Sequence, residues 1–234
     1  MFSAKRKFEE FNFGTKINSN KKKNKKSENE IDANEIDANL LSELINENSL
    51  SSKKTEKKIE RDGNHIYFYS EVNRETIYDL CSLIKEAEEE CIITSYKLGI
   101  DKYPTYIHIN SFGGCVFSAF DAIDCIQTSK VPVYSIVQGA TASAGTLISV
   151  CCEKRFMTKN AHMLIHQLSA GCWGKMSEIE DEFENLKGLM TKIKNIYIEN
   201  TKIPKKELSK ILEHDIWFDF DTSLKFNLVD EIWV

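Results

Sequence analysis

A chain of 234 residues, 41% hydrophobic and 29% charged with a net charge of −5, is long enough for one sizeable globular domain and a tail. No apolar run approaches the roughly 18–20 residues that span a membrane, so no membrane partner is expected. The seven cysteines, Cys81, Cys91, Cys115, Cys125, Cys151, Cys152 and Cys172, form an odd set without C-x-x-C pairs. They read as reduced, packed thiols in an intracellular, cytoplasmic setting.

Residues 1–26 carry nine basic and two acidic side chains, and residues 28–47 carry seven acidic and none basic. Asn29-Glu-Ile-Asp-Ala33 repeats at once as Asn34-Glu-Ile-Asp-Ala38, and a second lysine-rich run covers residues 53–58. Such low-complexity sequence buries too little apolar area to offset its ordering entropy, so residues 1–60 are expected to be a disordered tail, with a short helix around Leu40–Ile45. The lysines read as a solvated tail and no nucleic-acid partner is expected. Glu9 and Glu10 interrupt the early basic segment, which argues against a mitochondrial presequence.

The folded domain is expected over 61–234. His65-Ile-Tyr-Phe-Tyr69 reads as an aromatic strand, and Ile77, Leu80, Leu83 and Ile84 have helical spacing. Thr105–Asn110 alternates as a strand, runs through Ser111-Phe-Gly-Gly-Cys115 and leads into a helix marked by Val116, Phe120, Ile123 and Gln127. The apolar strand Val131–Val137 meets Gly139-Ala-Thr-Ala-Ser-Ala-Gly145 and then a packed helix, Thr146–Cys152. Arg155–Thr158 and Met163–His166 are short strands. Ile179, Phe183, Leu186, Met190, Ile193 and Tyr197 mark a long helix over 175–200. Pro204 suits the first turn of a helix over Glu207–His214, and a helical turn near Thr222 and a strand over Leu228–Val234 close the chain. Alternation of strands and helices predicts an α/β fold of repeated strand–turn–helix units with largely parallel pairing, their turns lining one rim.

A serine where a strand becomes a helix lies among unpaired backbone N–H groups and the positive end of the helix dipole, which favour developing negative charge. Ser143 has that place, in a relative of the G-x-S-x-G elbow with Thr141 at the first glycine position. Gly113-Gly114 ends a strand at the same rim, so the N–H groups of Gly114 and Ala144 are candidates for an oxyanion hole. His166, at the end of an apolar strand, is the candidate base. Asp215, between a helix and Ile216-Trp-Phe218, is the candidate to orient it, with Asp219 and Asp221 as rivals that pattern alone does not separate. No metal or cofactor is expected, since His162 and His166 lack the glutamate of an H-E-x-x-H pair and no G-x-x-x-x-G-K phosphate loop occurs.

Five stretches in order carry a family resemblance: Ile109-Asn-Ser-Phe-Gly-Gly114, Gln138–Gly145, Lys154-Arg-Phe156, Met163-Leu-Ile-His-Gln167 and Asn227-Leu-Val-Asp-Glu231. Over about 65–234 the chain resembles the proteolytic subunits of the Clp protease family, self-compartmentalising serine endopeptidases with a crotonase-like fold. The resemblance implies a triad of Ser143, His166 and Asp215 and oxyanion donors on Gly114 and Ala144. It implies a protruding handle made of the 175–200 helix and Leu168-Ser-Ala-Gly-Cys-Trp-Gly174. Substrate would lie as an added strand between Gly113–Cys115 and Leu168–Ser169. It further implies homo-oligomeric heptameric rings stacked through their handles, and a Clp-type AAA+ ATPase that feeds in unfolded polypeptides. Phe112, Thr141 and Leu168 depart from the family's usual residues and are expected to narrow the substrate cleft. A non-catalytic structural ring subunit and a crotonase-type acyl-CoA enzyme are the alternative readings.

Overall fold

The computed structural model describes residues 58–234. Of the tail expected over 1–60, residues 1–57, with the Leu40–Ile45 helix, lie outside the described residues, while 58–60 belong to a strand. The chain runs β1 (Lys58–Asp62), β2 (His65–Tyr69), α1 (Arg74–Leu98), β3 (Thr105–Ser111), α2 (Val116–Gln127), β4 (Val133–Ala142) and α3 (Ala144–Val150). It continues with β5 (Lys154–Thr158), β6 (His162–Leu164), α4 (Met176–Asn200), α5 (Lys205–Ile211), β7 (Trp217–Phe218), α6 (Phe220–Lys225) and β8 (Glu231–Trp233). This is the mixed α/β architecture expected.

The sheet order is β1-β2-β3-β4-β5-β8, parallel throughout except for β1, which pairs antiparallel with β2. β1 was not legible beforehand: Lys-Ile-Glu-Arg-Asp offers one apolar side chain, and its order comes from pairing with the β2 edge. Inward residues of the central strands, among them Ile66, Phe68, Ile107, Ile109 and Val137, pack under α1, α2 and α3 in one buried core. The opposite face is aromatic: Tyr67 stacks on His108 with ring centroids 4.4 Å apart, and Trp233 packs edge-on to Phe156 and tilted against Tyr106.

β4 is the element that positions everything else. It runs five residues past the expected end at Val137, because Gly139 takes φ 58° and bends the strand without ending it. A Cβ on Gly139 would lie 2.9 Å from the Asn110 side-chain nitrogen at a left-handed φ, so any other residue would be strained at the bend. The bend forks the sheet. Tyr134–Val137 pair with β5, while Ala140–Ala142 pair on the same edge with β6, which in turn pairs antiparallel with β7.

Three helices differ from expectation in instructive ways. α1 is longer than the periodic stretch because Asn73 caps it, its Oδ1 accepting from the N–H groups of Glu75 and Thr76 at 3.0 Å each, and Gly99 closes it in the left-handed region. α4 has the expected length, yet only Ile193 and Tyr197 are buried; its first seventeen residues stand exposed or half-exposed. Pro204 precedes α5 instead of opening it.

The Lys154-Arg-Phe and Asn227–Glu231 stretches meet in one structural knot. The Arg155 guanidinium, 9% exposed, donates to both Asp230 carboxylate oxygens and to the Asn200 carbonyl at the end of α4. Burial alone would raise the Asp230 pKa, but Arg155 outweighs it and holds the carboxyl below its ordinary range.

Candidate active site

The fork brings the separate motifs to one place by register. Parallel pairing of Ala142 with Leu164 sets Ser143 beside Ile165, and the Ser143 N–H donates to the Leu164 carbonyl at 2.8 Å. Antiparallel pairing of Leu164 with Trp217, extended by two residues, sets Asp215 opposite His166. The Asp215 Oδ1 then lies 3.0 Å from His166 Nδ1. His166 lies two residues beyond β6 instead of ending it as expected, and the Gln167 N–H bonded to the Leu212 carbonyl at 2.7 Å anchors that segment to the end of α5.

Among the three aspartates the geometry separates the roles. Asp219 caps α6, its Oδ1 accepting from the Thr222 N–H at 2.9 Å, and Asp221 lies in the first turn of that helix. Asp215 alone of the three is paired with His166. Burial pushes the His166 pKa below its ordinary value, with Asp215 opposing through its charge and hydrogen bond. The imidazole is therefore neutral at neutral pH. With its Nδ1–H directed to Asp215, its Nε2 carries the lone pair that accepts a proton.

Ser143 is 4% exposed and stands at φ 56°, ψ −125°, a conformation that costs a non-glycine residue about 1–3 kcal/mol. The surroundings hold it there. The Leu164 carbonyl takes its N–H, and its own carbonyl accepts from both the N–H of Thr146 at 3.0 Å and the Thr146 hydroxyl at 2.6 Å. The Ser143 Oγ is buried and makes no hydrogen bond.

Gly113 and Gly114 form the facing wall. Val72 bridges them in parallel fashion: its N–H donates to the Gly113 carbonyl at 2.8 Å and its carbonyl accepts from the Cys115 N–H at 2.7 Å. That pattern turns the Gly114 N–H away from Val72. Gly113 sits at φ 92° with its Cα against the Ser143 turn: a Cβ there would lie 2.7 Å from Ser143 Cβ and 2.9 Å from the Ala144 nitrogen. At Gly114, φ 144°, a Cβ would lie 2.3 Å from the Val72 carbonyl oxygen. Neither position admits a side chain. The Ala144 N–H, first in α3, has no partner within its own helix. Val72 is the contributor that sequence reasoning missed, and a lone valine in a loop gives no signal.

The remaining expected residues divide. Cys115 precedes α2 next to this wall. Leu168 is half-buried, its N–H on the Met190 sulfur at 3.4 Å, while Ser169 is exposed. Residues 168–174, placed in the handle by the resemblance, form no strand here, and Trp173 is 99% exposed. Thr141 does not narrow the cleft either. It is fully buried with its hydroxyl on the Ile109 carbonyl at 2.9 Å, a strand-to-strand bond inside the core. Phe112 does face outward, 69% exposed, with its ring edge-on to Trp217 at 6.2 Å. Among the described residues no group of three or more His, Cys, Asp or Glu is placed to hold a metal ion. Among the same residues no helix is long and apolar enough to cross a membrane.

Residues 60–234 match the family model of the Clp protease. The chain is 30% identical over 190 residues, 79% of its length and 94% of the relative, to an ATP-dependent Clp protease proteolytic subunit 2 of Treponema denticola. It is 37% identical over 131 residues, 54% of its length and 67% of the relative, to an ATP-dependent Clp protease proteolytic subunit of Streptococcus mutans. A solved point mutant of ClpP1 from Listeria monocytogenes superposes with a TM-score of 0.62 at 29% identity, covering 74% of this chain and 92% of that one.

Proposed function

The chain belongs to the Clp protease family and is a serine endopeptidase of the proteolytic-subunit type, and from that premise we propose which residues perform the reaction. Ser143 Oγ attacks the scissile carbonyl while His166 Nε2 takes its proton. Asp215 fixes the tautomer and stabilises the imidazolium. The tetrahedral oxyanion is held by the N–H groups of Gly114 and Ala144. Collapse returns the proton from His166 to the leaving amine and leaves an acyl group on Ser143. Water, activated by the same histidine, then hydrolyses the ester. Gly113 and Cys115 on one side and Leu168 and Ser169 on the other receive the substrate backbone as an added strand. That pairing would order the coil at 168–174.

The observation that carries this reading is the His166–Asp215 pair at 3.0 Å, set by strand register beside a serine in a strained turn. We further propose that the subunit forms a homo-oligomeric ring of seven, stacked on a second through α4 and residues 168–174. An AAA+ ATPase of the Clp type would supply unfolded polypeptides, in the cytoplasm or another reducing compartment. One observation favours the second reading, a structural ring subunit: the Ser143 hydroxyl makes no hydrogen bond. Catalytic hydrogen bonds often tighten only when substrate is bound, so the active reading stands first.

A fluorophosphonate serine probe tests it, with native mass measured on the same sample and Ser143→Ala as control. Labelling of wild type alone, in a species many subunits large, supports the reading. A fully assembled ring that does not label favours the structural subunit.

A further inference from the structure

Tyr197 is fully buried although its residue type carries a polar tip, and it lies on α4, far in sequence from every motif above. Its hydroxyl is 2.7 Å from the hydroxyl of Thr146, itself fully buried. The direction of this chain follows from counting protons. A threonine hydroxyl has one, and at 2.6 Å the carbonyl of Ser143 can only accept it. Thr146 Oγ1 must therefore accept from Tyr197, and the chain runs Tyr197 to Thr146 to Ser143. Burial raises the Tyr197 pKa, which keeps the phenol protonated as a donor.

The peptide that receives this chain is the one that matters. The Ser143 carbonyl and the Ala144 N–H belong to one planar unit and point in opposite directions. Any bond that fixes the carbonyl also aims the N–H. The Leu164 carbonyl fixes the other side of Ser143, by accepting its N–H. The N–H of Thr146 also reaches the Ser143 carbonyl, at 3.0 Å, so Thr146 holds that oxygen twice, and the hydroxyl is the bond that a side-chain substitution removes. We propose that Thr146 and Tyr197 are positioning residues for the reaction, holding the Ser143–Ala144 peptide so that the Ala144 N–H faces the developing oxyanion. This rests on the reading of Ala144 as an oxyanion donor. It assigns a catalytic consequence to a buried tyrosine on the helix that otherwise serves as the handle.

The test uses the full chain with Thr146→Val, which keeps the shape and removes the hydroxyl, Thr146→Ser, which restores it, Tyr197→Phe, and Thr146→Val/Tyr197→Phe. Hydrolysis of a fluorogenic peptide gives kcat and KM, and the rate of fluorophosphonate labelling gives an independent readout. The expected result is a fall in kcat of about tenfold for Thr146→Val with KM unchanged, Thr146→Ser within about twofold of wild type, and a double variant no worse than Thr146→Val. The last point follows because Tyr197 acts only through Thr146. Equal kcat for Thr146→Val and Thr146→Ser, or fully additive losses in the double variant, would overturn the proposal while leaving the serine peptidase standing. A wild type that labels no better than Ser143→Ala would remove that reading and this proposal with it.

Discussion

At the fork of β4 the backbone of Ser143 is bonded on both sides, to Leu164 and to Thr146, and every residue from Thr141 to Val150 is buried. Along the first seventeen residues of α4 no residue is buried, and Met176 and Phe183 stand largely exposed. The fork is thus fixed by this chain alone, and its strained turn persists because neighbours determine it from all sides. The outer part of α4 carries apolar side chains that stand exposed among the described residues, a patch of the kind that marks an interaction surface. Substitutions at the two places should therefore fail in different ways.

The largest effect is expected at Asp215→Asn, with kcat reduced about 10⁴-fold. Its pH profile gives the sign of the coupling. Protonation of His166 would remove the proposed base, and Asp215 raises the His166 pKa against the larger lowering by burial. Without the carboxylate, the acid limb of residual activity moves to lower pH; an unmoved limb would detach Asp215 from His166. Next is Gly113→Ala, whose Cβ would be driven into Ser143 Cβ at a φ of 92°. Peptide hydrolysis by the folded fraction should fall by about 10²–10³.

Asp230→Asn tests the knot that joins β5 to the root of α4. It should cost about 2 kcal/mol in urea unfolding, less than a fully buried pair because Asp230 keeps some water. The folded pKa of Asp230 is depressed, so in wild type this contribution is complete above its unfolded value, about pH 4, and is lost as pH falls through the folded one. The smallest effect on the fold is expected at Phe183→Ser, within about 0.5 kcal/mol, since the ring is exposed with Lys187 over its face. Native mass should nonetheless shift to smaller species. An unchanged assembly, or a large loss of stability, would erase the contrast between the two regions.

How much of this was legible beforehand follows the same division. Strands and helices whose apolar period is met by burial, such as β2 and α2, appear where the pattern puts them. The pattern ends β4 early because glycine and small residues signal a turn, whereas here one glycine makes a bend within a strand that stays beside β3 and exchanges β5 for β6 on its other edge. The serine turn and the glycine pair announced themselves by residue type and by position after strands. The choice among Asp215, Asp219 and Asp221 did not, because it depends on pairing between β6 and β7, and β7 has only two residues. The bond from Tyr197 was hidden for another reason: in a helical pattern a buried tyrosine looks like any other core residue, and its hydroxyl has no period.

Of the seven thiols, Cys172 alone is exposed, in the coil between Leu168 and Met176. Cys151 and Cys152 are pushed by burial to about 12 and stay protonated and inert at neutral pH. A maleimide dye would accordingly find Cys172 first, immediately beside the indole of Trp173. The protein thus carries an indole and a native attachment site for a dye side by side in the segment proposed to receive the peptide, and fluorescence there would follow binding in real time without any engineered label site.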